Sequence, residues 1–240
     1  MAFPITLQGS EGEQYSTYTD QRWPLGTQLV LQDGRKFRFA QAGGSTLVPG
    51  NVLTAAANIA NHVDTTAVAS AAGSTSPQTT LGATAATINQ YAEGYAVVVT
   101  TPDLGRTYKI DNHAAVASAG VLTANLVGGY SVITAWTTSS RVSLIKNSYH
   151  AVIQAPITTL TAAPVGVAVT APTTTVYCWV ATSGLCGALY SGTLVLGNNA
   201  SAVVAAAGAT GPSAASTTAV IGRVQQVAAG TLAPIFLTLD

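Results

Sequence analysis

Charge is what this chain most lacks. Only 8% of its 240 residues are Asp, Glu, Lys or Arg, and none occurs from Asn147 to Gly222. An average globular chain is about a quarter charged, so a surface this neutral implies shelter against other protein. Long apolar runs are missing as well. Gly, Pro, Ser, Thr or Asn interrupts them every few residues, short of the roughly 18–20 residues a spanning helix needs, and no membrane partner is expected. Basic excess is absent, because nine Lys and Arg balance nine Asp and Glu. That removes the long-range field by which nucleic acid or anionic lipid is drawn in. Cysteine is limited to Cys178 and Cys186. Ser183-Gly184 between them reads as a hairpin turn, which sets the thiols on opposite faces or in an offset diagonal, so buried free thiols are expected. Two sulfurs with no adjacent His make a poor zinc site, and no phosphate loop, dinucleotide glycine fingerprint or EF-hand loop is present. No cofactor or metal is expected. Met1-Ala2-Phe3-Pro4-Ile5-Thr6 has neither a basic nor an apolar leader region, which points to synthesis in a cytoplasm.

What is abundant is Ala, Thr, Val, Gly and Ser, a composition that suits pleated, half-buried surfaces better than helices. The fold expected is mainly β: a sandwich or barrel-like body with an extended N-terminal arm, one β-hairpin and one short helix. Residues 1–20 are polar and turn-prone and read as the arm, anchored by Phe3, Tyr15 and Tyr18. Residues 21–63 carry the hairpin and the helix. Leu29-Val30-Leu31-Gln32 and Arg35-Lys36-Phe37-Arg38-Phe39 flank Asp33-Gly34, the signature of a type I′ turn. Val52, Ala56, Ile59 and Val63, behind Pro49, have helical spacing. Residues 64–160 form a β-rich part whose opening, Asp64 to Thr87, is low in large apolar groups and reads as a surface loop or a segment ordered by a neighbour. Residues 161–240 form a C-terminal β part that could share a body with 88–160, with Ala200 to Ala215 as a second low-complexity insert.

Chemistry-bearing constellations are few. Asp111-Asn112-His113 places an acid beside an imidazole, yet no G-x-S-x-G elbow accompanies it, and a turn closed by Asx side chains explains it as well. His62-Val63-Asp64 follows the expected helix, where a cation is favourable in any protein. His150 reads as a sheet histidine. Nine carboxylates, Asp33 and Asp103 among them in turn contexts, are a small pool for paired acid–base hydrolysis. Asn199-Ala200-Ser201 matches a glycosylation acceptor by a pattern that arises often by chance. Arg35, Lys36 and Arg38, interleaved with Phe37 and Phe39, form the densest basic cluster; three charges are a weak nucleic-acid footprint and suit an acidic protein surface better. Trp23, Trp136 and Trp179 read as core, with interface anchoring as the second reading.

The run Gly34-Arg35-Lys36-Phe37-Arg38-Phe39-Ala40-Gln41-Ala42-Gly43-Gly44 resembles virion structural proteins of tailed bacteriophages, in particular capsid decoration (cement) proteins. Gly105-Arg106-Thr107-Tyr108-Lys109-Ile110, Val142 to His150, Tyr177 to Cys186 and Val220-Ile221-Gly222-Arg223-Val224 extend the likeness over most of the chain. The resemblance implies a non-enzymatic homo-oligomer, a trimer, on the outer capsid of a virion, where it bridges subunits of the major capsid protein. The residues expected at a capsid or subunit interface are Tyr15, Tyr18, Trp23, Arg35, Lys36, Phe37, Arg38 and Phe39. A tail-tube or fibre part, a receptor- or glycan-binding module and, more remotely, a hydrolase are the rival readings.

Overall fold

A computed structural model describes residues 6–157, 159–202, 206–213, 219–227 and 230–240. The chain is mainly β. In order come β1 (Thr6–Gly9), β2 (Thr17–Tyr18), β3 (Gln28–Leu31), β4 (Lys36–Gln41) and β5 (Val52–Thr54). Next are β6 (Thr65–Val68), β7 (Gln78–Thr80), β8 (Tyr95–Val98), β9 (Thr107–Asn112), β10 (Val121–Thr123), β11 (Asn125–Leu126) and β12 (Arg141–Ile145). The last are β13 (Ile153–Gln154), β14 (Pro164–Ala168), β15 (Tyr177–Leu189), β16 (Asn199–Ala202), β17 (Thr210–Pro212), β18 (Val220–Val224) and β19 (Leu232–Thr238). Two compact units result: Met1–Ala56 with Ser148–Asp240, and Ala57–Asn147, which is inserted in the chain of the first. The unit boundaries therefore fall inside the 21–63 and 64–160 segments read from sequence.

The first unit has a β-sandwich-like sheet in the order β1-β3-β4-β15-β19-β18-β16-β17, with β2, β5, β13 and β14 joined at its side. Its spine is β15. Tyr177 to Ser183 pair with β4, Val180 and Ala181 with β14, and Ser183 to Leu189 with β19. Alternate residues of the first half serve two cores: Trp179 and Ala181 pack with Leu29, Phe37, Phe39 and Ile235, while Cys178 and Val180 pack with Leu47, Leu53 and Val152. A strand covered on both faces has no position for a charge, which is why the first half of β15, Cys178 to Thr182, reads as an unbroken neutral run.

The second unit is a sheet ordered β10-β7-β6-β12-β8-β9-β11. Its core gathers Tyr91, Tyr108, Ile110, Leu122, Trp136, Val142 and Leu144. The segment from Asp64 to Thr87 is no loop: β6 and β7 pair through Thr66↔Thr80 and Ala67↔Thr79, and Ala67, Leu81 and Ala86 are buried. Small residues suffice there because the neighbouring aromatics supply the volume.

Four other expectations need correction. The helix expected behind Pro49 is replaced by β5, which pairs with β13 and β14, and the helical turn found in that segment is the 3₁₀ turn Ala60–His62; strand partners override the spacing. The arm is not free: β1 pairs in parallel with β3, and β2 pairs with β15 through Tyr18↔Tyr177. Phe3 lies outside the described residues. Ser183-Gly184 is no hairpin turn but part of β15, beside a register shift between Ala181 and Ser183. The Ala200 insert contributes β16 and β17 to the sheet, while its residues 203–205 and 214–215 lie outside those described. The Asp33-Gly34 hairpin forms as expected, but with a different turn. Gly34 N–H donates to Leu31 O (2.9 Å) and Leu31 N–H to Arg35 O (3.0 Å), and Gly34 alone takes a positive φ, 85°. That is a type I turn closed by a glycine bulge, since a type I′ turn would also need Asp33 at positive φ.

Candidate functional site

The basic hairpin separates into two faces. Along β4, Phe37 and Phe39 point into the core and are buried, so they are removed from any docking surface, while Lys36 and Arg38 lie on the other side. Arg38 is committed internally. Its Nε and Nη2 donate to Asp240 Oδ2 and Oδ1 at 2.6 and 2.7 Å, and Nη1 donates to Gly26 O at 2.8 Å. Thr182 Oγ1 adds a 3.1 Å bond to Asp240. Desolvation alone would raise the Asp240 carboxyl, but the hydrogen bond and charge of Arg38 outweigh it and hold the group below the usual carboxylate range. Arg35 is paired with Asp33 and Glu11.

Tyr18 and Trp23 are half-buried closures of the first unit's core rather than free-standing anchors. Trp23 packs against Tyr18, Phe39 and Trp179 with ring centroids 5.2–5.3 Å apart, and the Arg22 guanidinium lies 5.6 Å from the Tyr18 ring centre. Trp136 and Trp179 are buried, in line with the core reading. Of the sequence-expected interface residues, Tyr15 is the large apolar one that stands out, at 55% exposure.

Tyr15 borders a groove of about 400 Å³ in the first unit, lined also by Arg35, Phe37, Leu185, Cys186, Leu232 and Pro234. Next to it, Leu185 and Phe236 share a second depression with Asp33, Gly34, Arg35 and Ser183. Leu185 and Phe236 are cross-strand neighbours and remain 54% and 44% exposed, because their strands send Ile235, Leu237 and Ala188 inward instead. Sequence reasoning missed this face. Leu232-Ala233-Pro234-Ile235-Phe236-Leu237 is apolar throughout, so no alternation marks which side meets solvent.

In the second unit the histidines are structural. His62 is buried, its Nδ1 on the Tyr91 hydroxyl and its Nε2 2.8 Å from Thr84 O. His113 Nε2 accepts the Tyr91 N–H at 3.0 Å, and its Nδ1 donates to Ala114 O at 2.7 Å. Accepting at Nε2 and donating at Nδ1 fixes His113 as a neutral tautomer. Burial pushes the Tyr91 phenol up to about 12 and the His113 imidazole down. Asp111 bonds the Asn112 amide at the surface instead of His113, so the acid–imidazole pair suggested by sequence does not form. Asp103 is a buried carboxylate taken up by Tyr108 (2.6 Å) and Trp136 Nε1 (3.0 Å). Both cysteines are free, Cys178 buried and Cys186 partly so; desolvation raises them to about 12 and about 11, which leaves little thiolate for nucleophilic chemistry. Among the described residues no group of three or more His, Cys, Asp or Glu could hold a metal, and no helix is long and apolar enough to cross a membrane.

The site and fold thus define a two-unit β protein whose outstanding surface feature is an apolar sheet face. Comparison of the chain with protein-family models, with curated proteins and with solved structures returns no match.

Proposed function

We propose that the protein is a non-enzymatic assembly component that docks as a homo-oligomer on a repeating protein surface. In the specific form suggested by its resemblance to decoration proteins, it binds the outside of a phage capsid and bridges neighbouring major capsid subunits. The observation that carries the reading is the apolar patch of the first unit, where Tyr15, Leu185, Leu232 and Phe236 stand exposed. Apolar and hydroxyl-bearing contacts avoid the desolvation cost of unpaired charges, and a symmetric shell repeats each modest contact many times. The buried, mutually bonded His62, Tyr91 and His113 offer no open acid–base pair to set against it.

Quantitative mass spectrometry of gradient-purified virions tests the proposal. Hundreds of copies in a simple ratio to the shell protein would support it. A few copies would favour a tail or fibre part, and absence from particles would overturn the virion reading.

A further inference from the structure

We propose that the outer face of β18, β19 and β15 is a two-fold interface at which the chain binds a second copy of itself. Register places Arg223, Phe236 and Leu185 side by side on three adjacent strands, all directed away from the core. Beyond Leu185 the row ends at Arg35 with Asp33 and Glu11. The row therefore runs from a cation, across two exposed apolar side chains, to a hairpin end where the half-exposed Asp33 and Glu11 carboxylates hold Arg35, with Lys36 beside them on β4. Arg223 is the only charged residue between Lys146 and Asp240, and it forms no ion pair among the described residues.

Such a row is complementary to itself. Neighbouring strands are about 4.8 Å apart, so Arg223 and Leu185 are separated by roughly 10 Å across the sheet. A two-fold axis between Phe236 and Leu185 sets each Phe236 over the Leu185 of the second copy and each Arg223 over the half-exposed Glu11 and Asp33 carboxylates at its hairpin. Every contact then occurs twice, as an isologous interface requires. Leu232, Pro234 and Tyr15 continue the apolar area along the strands. The proposal deepens the self-association named above, and its failure would leave shell docking to be decided by copy number.

Sedimentation equilibrium of the full chain at about 1–100 µM provides the test. The expected species is a dimer, and Phe236→Ser should return it to monomer, with the far-ultraviolet spectrum and thermal melt checking that the variant folds. Arg223→Glu and Glu11→Lys should each weaken the dimer about tenfold, while the double variant recovers affinity because the contact between positions 223 and 11 is restored with its charges exchanged. Should Phe236→Ser fail to fold, the charge exchange still decides. A monomeric wild type at 100 µM, a trimer, a dimer untouched by Phe236→Ser, or a double variant weaker than either single one would overturn the proposal.

Discussion

Replacing Gly222 by alanine should be among the most damaging single-methyl changes in the first unit. Gly222 is buried in β18, paired with Ala200 of β16 on one side and Leu237 of β19 on the other. A Cβ there would meet Phe236 O at 2.1 Å and Leu237 Cα at 2.9 Å, and both atoms are backbone. Relief requires β19 to move, yet β19 delivers Ile235 and Leu237 to the core and pairs with β15 along seven positions. Overpacking of this kind costs roughly 1–3 kcal/mol, and each ladder hydrogen bond lost adds about 1 kcal/mol. A total near 3–4 kcal/mol lowers Tm by roughly 6–16 °C in a protein of this size. The assay is paired urea and thermal unfolding of Gly222→Ala and Gly44→Ala. Gly44 has an ordinary φ and no atom within 4 Å of the added methyl, so its variant should match or slightly exceed wild type. Equal stability of the two variants would refute the close approach of β18 to β19.

Three further outcomes are expected. Asp240→Asn should destabilise the chain by about 1–2 kcal/mol at pH 7 by removing the partner of Arg38 and Thr182. Because the folded carboxyl titrates below its unfolded value of about 3.9, this contribution is fully present above that pH and is lost as pH falls through the depressed value; urea titrations should therefore show wild type and variant converging near pH 2. Iodoacetamide at pH 8 should label Cys186 at least about a hundredfold more slowly than an unstructured cysteine, and Cys178 only after unfolding, as followed by intact mass. Deletion of residues 1–20 should lower stability by at least about 2 kcal/mol, contrary to what a free arm would do, because it strips β1 from β3 and Tyr18 from Trp23 and Phe39; chemical denaturation reads the loss.

The strand-rich class and the Asp33-Gly34 hairpin were legible because both rest on local chemistry. Asp-Gly between Leu29 and Phe39 suits a tight reversal whichever turn closes it. Ser183-Gly184 misleads for the same reason: a small polar residue before glycine serves a turn and a strand bulge equally, and only the pairing of Leu185 with Phe236 and Lys36 with Ser183 separates them. Val52, Ala56, Ile59 and Val63 satisfy a helical period, but Val52-Leu53-Thr54 is taken by Val167, Gly166 and Pro164 of β14, a partner more than a hundred residues away. Interface candidates fared by face. Arg38 and Phe39 are neighbours in sequence, yet the pleat sends one to Asp240 and the other to Trp179. The face carrying Leu185 and Phe236 was invisible because it arises from register between strands about fifty residues apart.

The charge-free stretch has a more specific meaning once its strands are placed. Tyr177 to Thr182 and much of β14 are neutral because they are covered on both sides, and Ala200, Ala202 and Ala209 because they are buried. Burial inside the unit accounts for those positions without any partner. It does not account for Leu185, Leu232 and Phe236, whose side chains are directed outward from the same strands. In the first unit every charged residue other than Arg223 and Asp240 lies between Glu11 and Arg38, so the carboxylates Glu11 and Asp33 reach that face at its hairpin end, beside Arg35 and Lys36, and Arg223 stands alone at the other end. An arginine isolated by more than seventy neutral residues, set in register with an exposed Phe236, is where a charge would be needed if the face met a copy of itself. The neutral composition therefore narrows to one patch, and that patch rather than the whole stretch is where association should be sought.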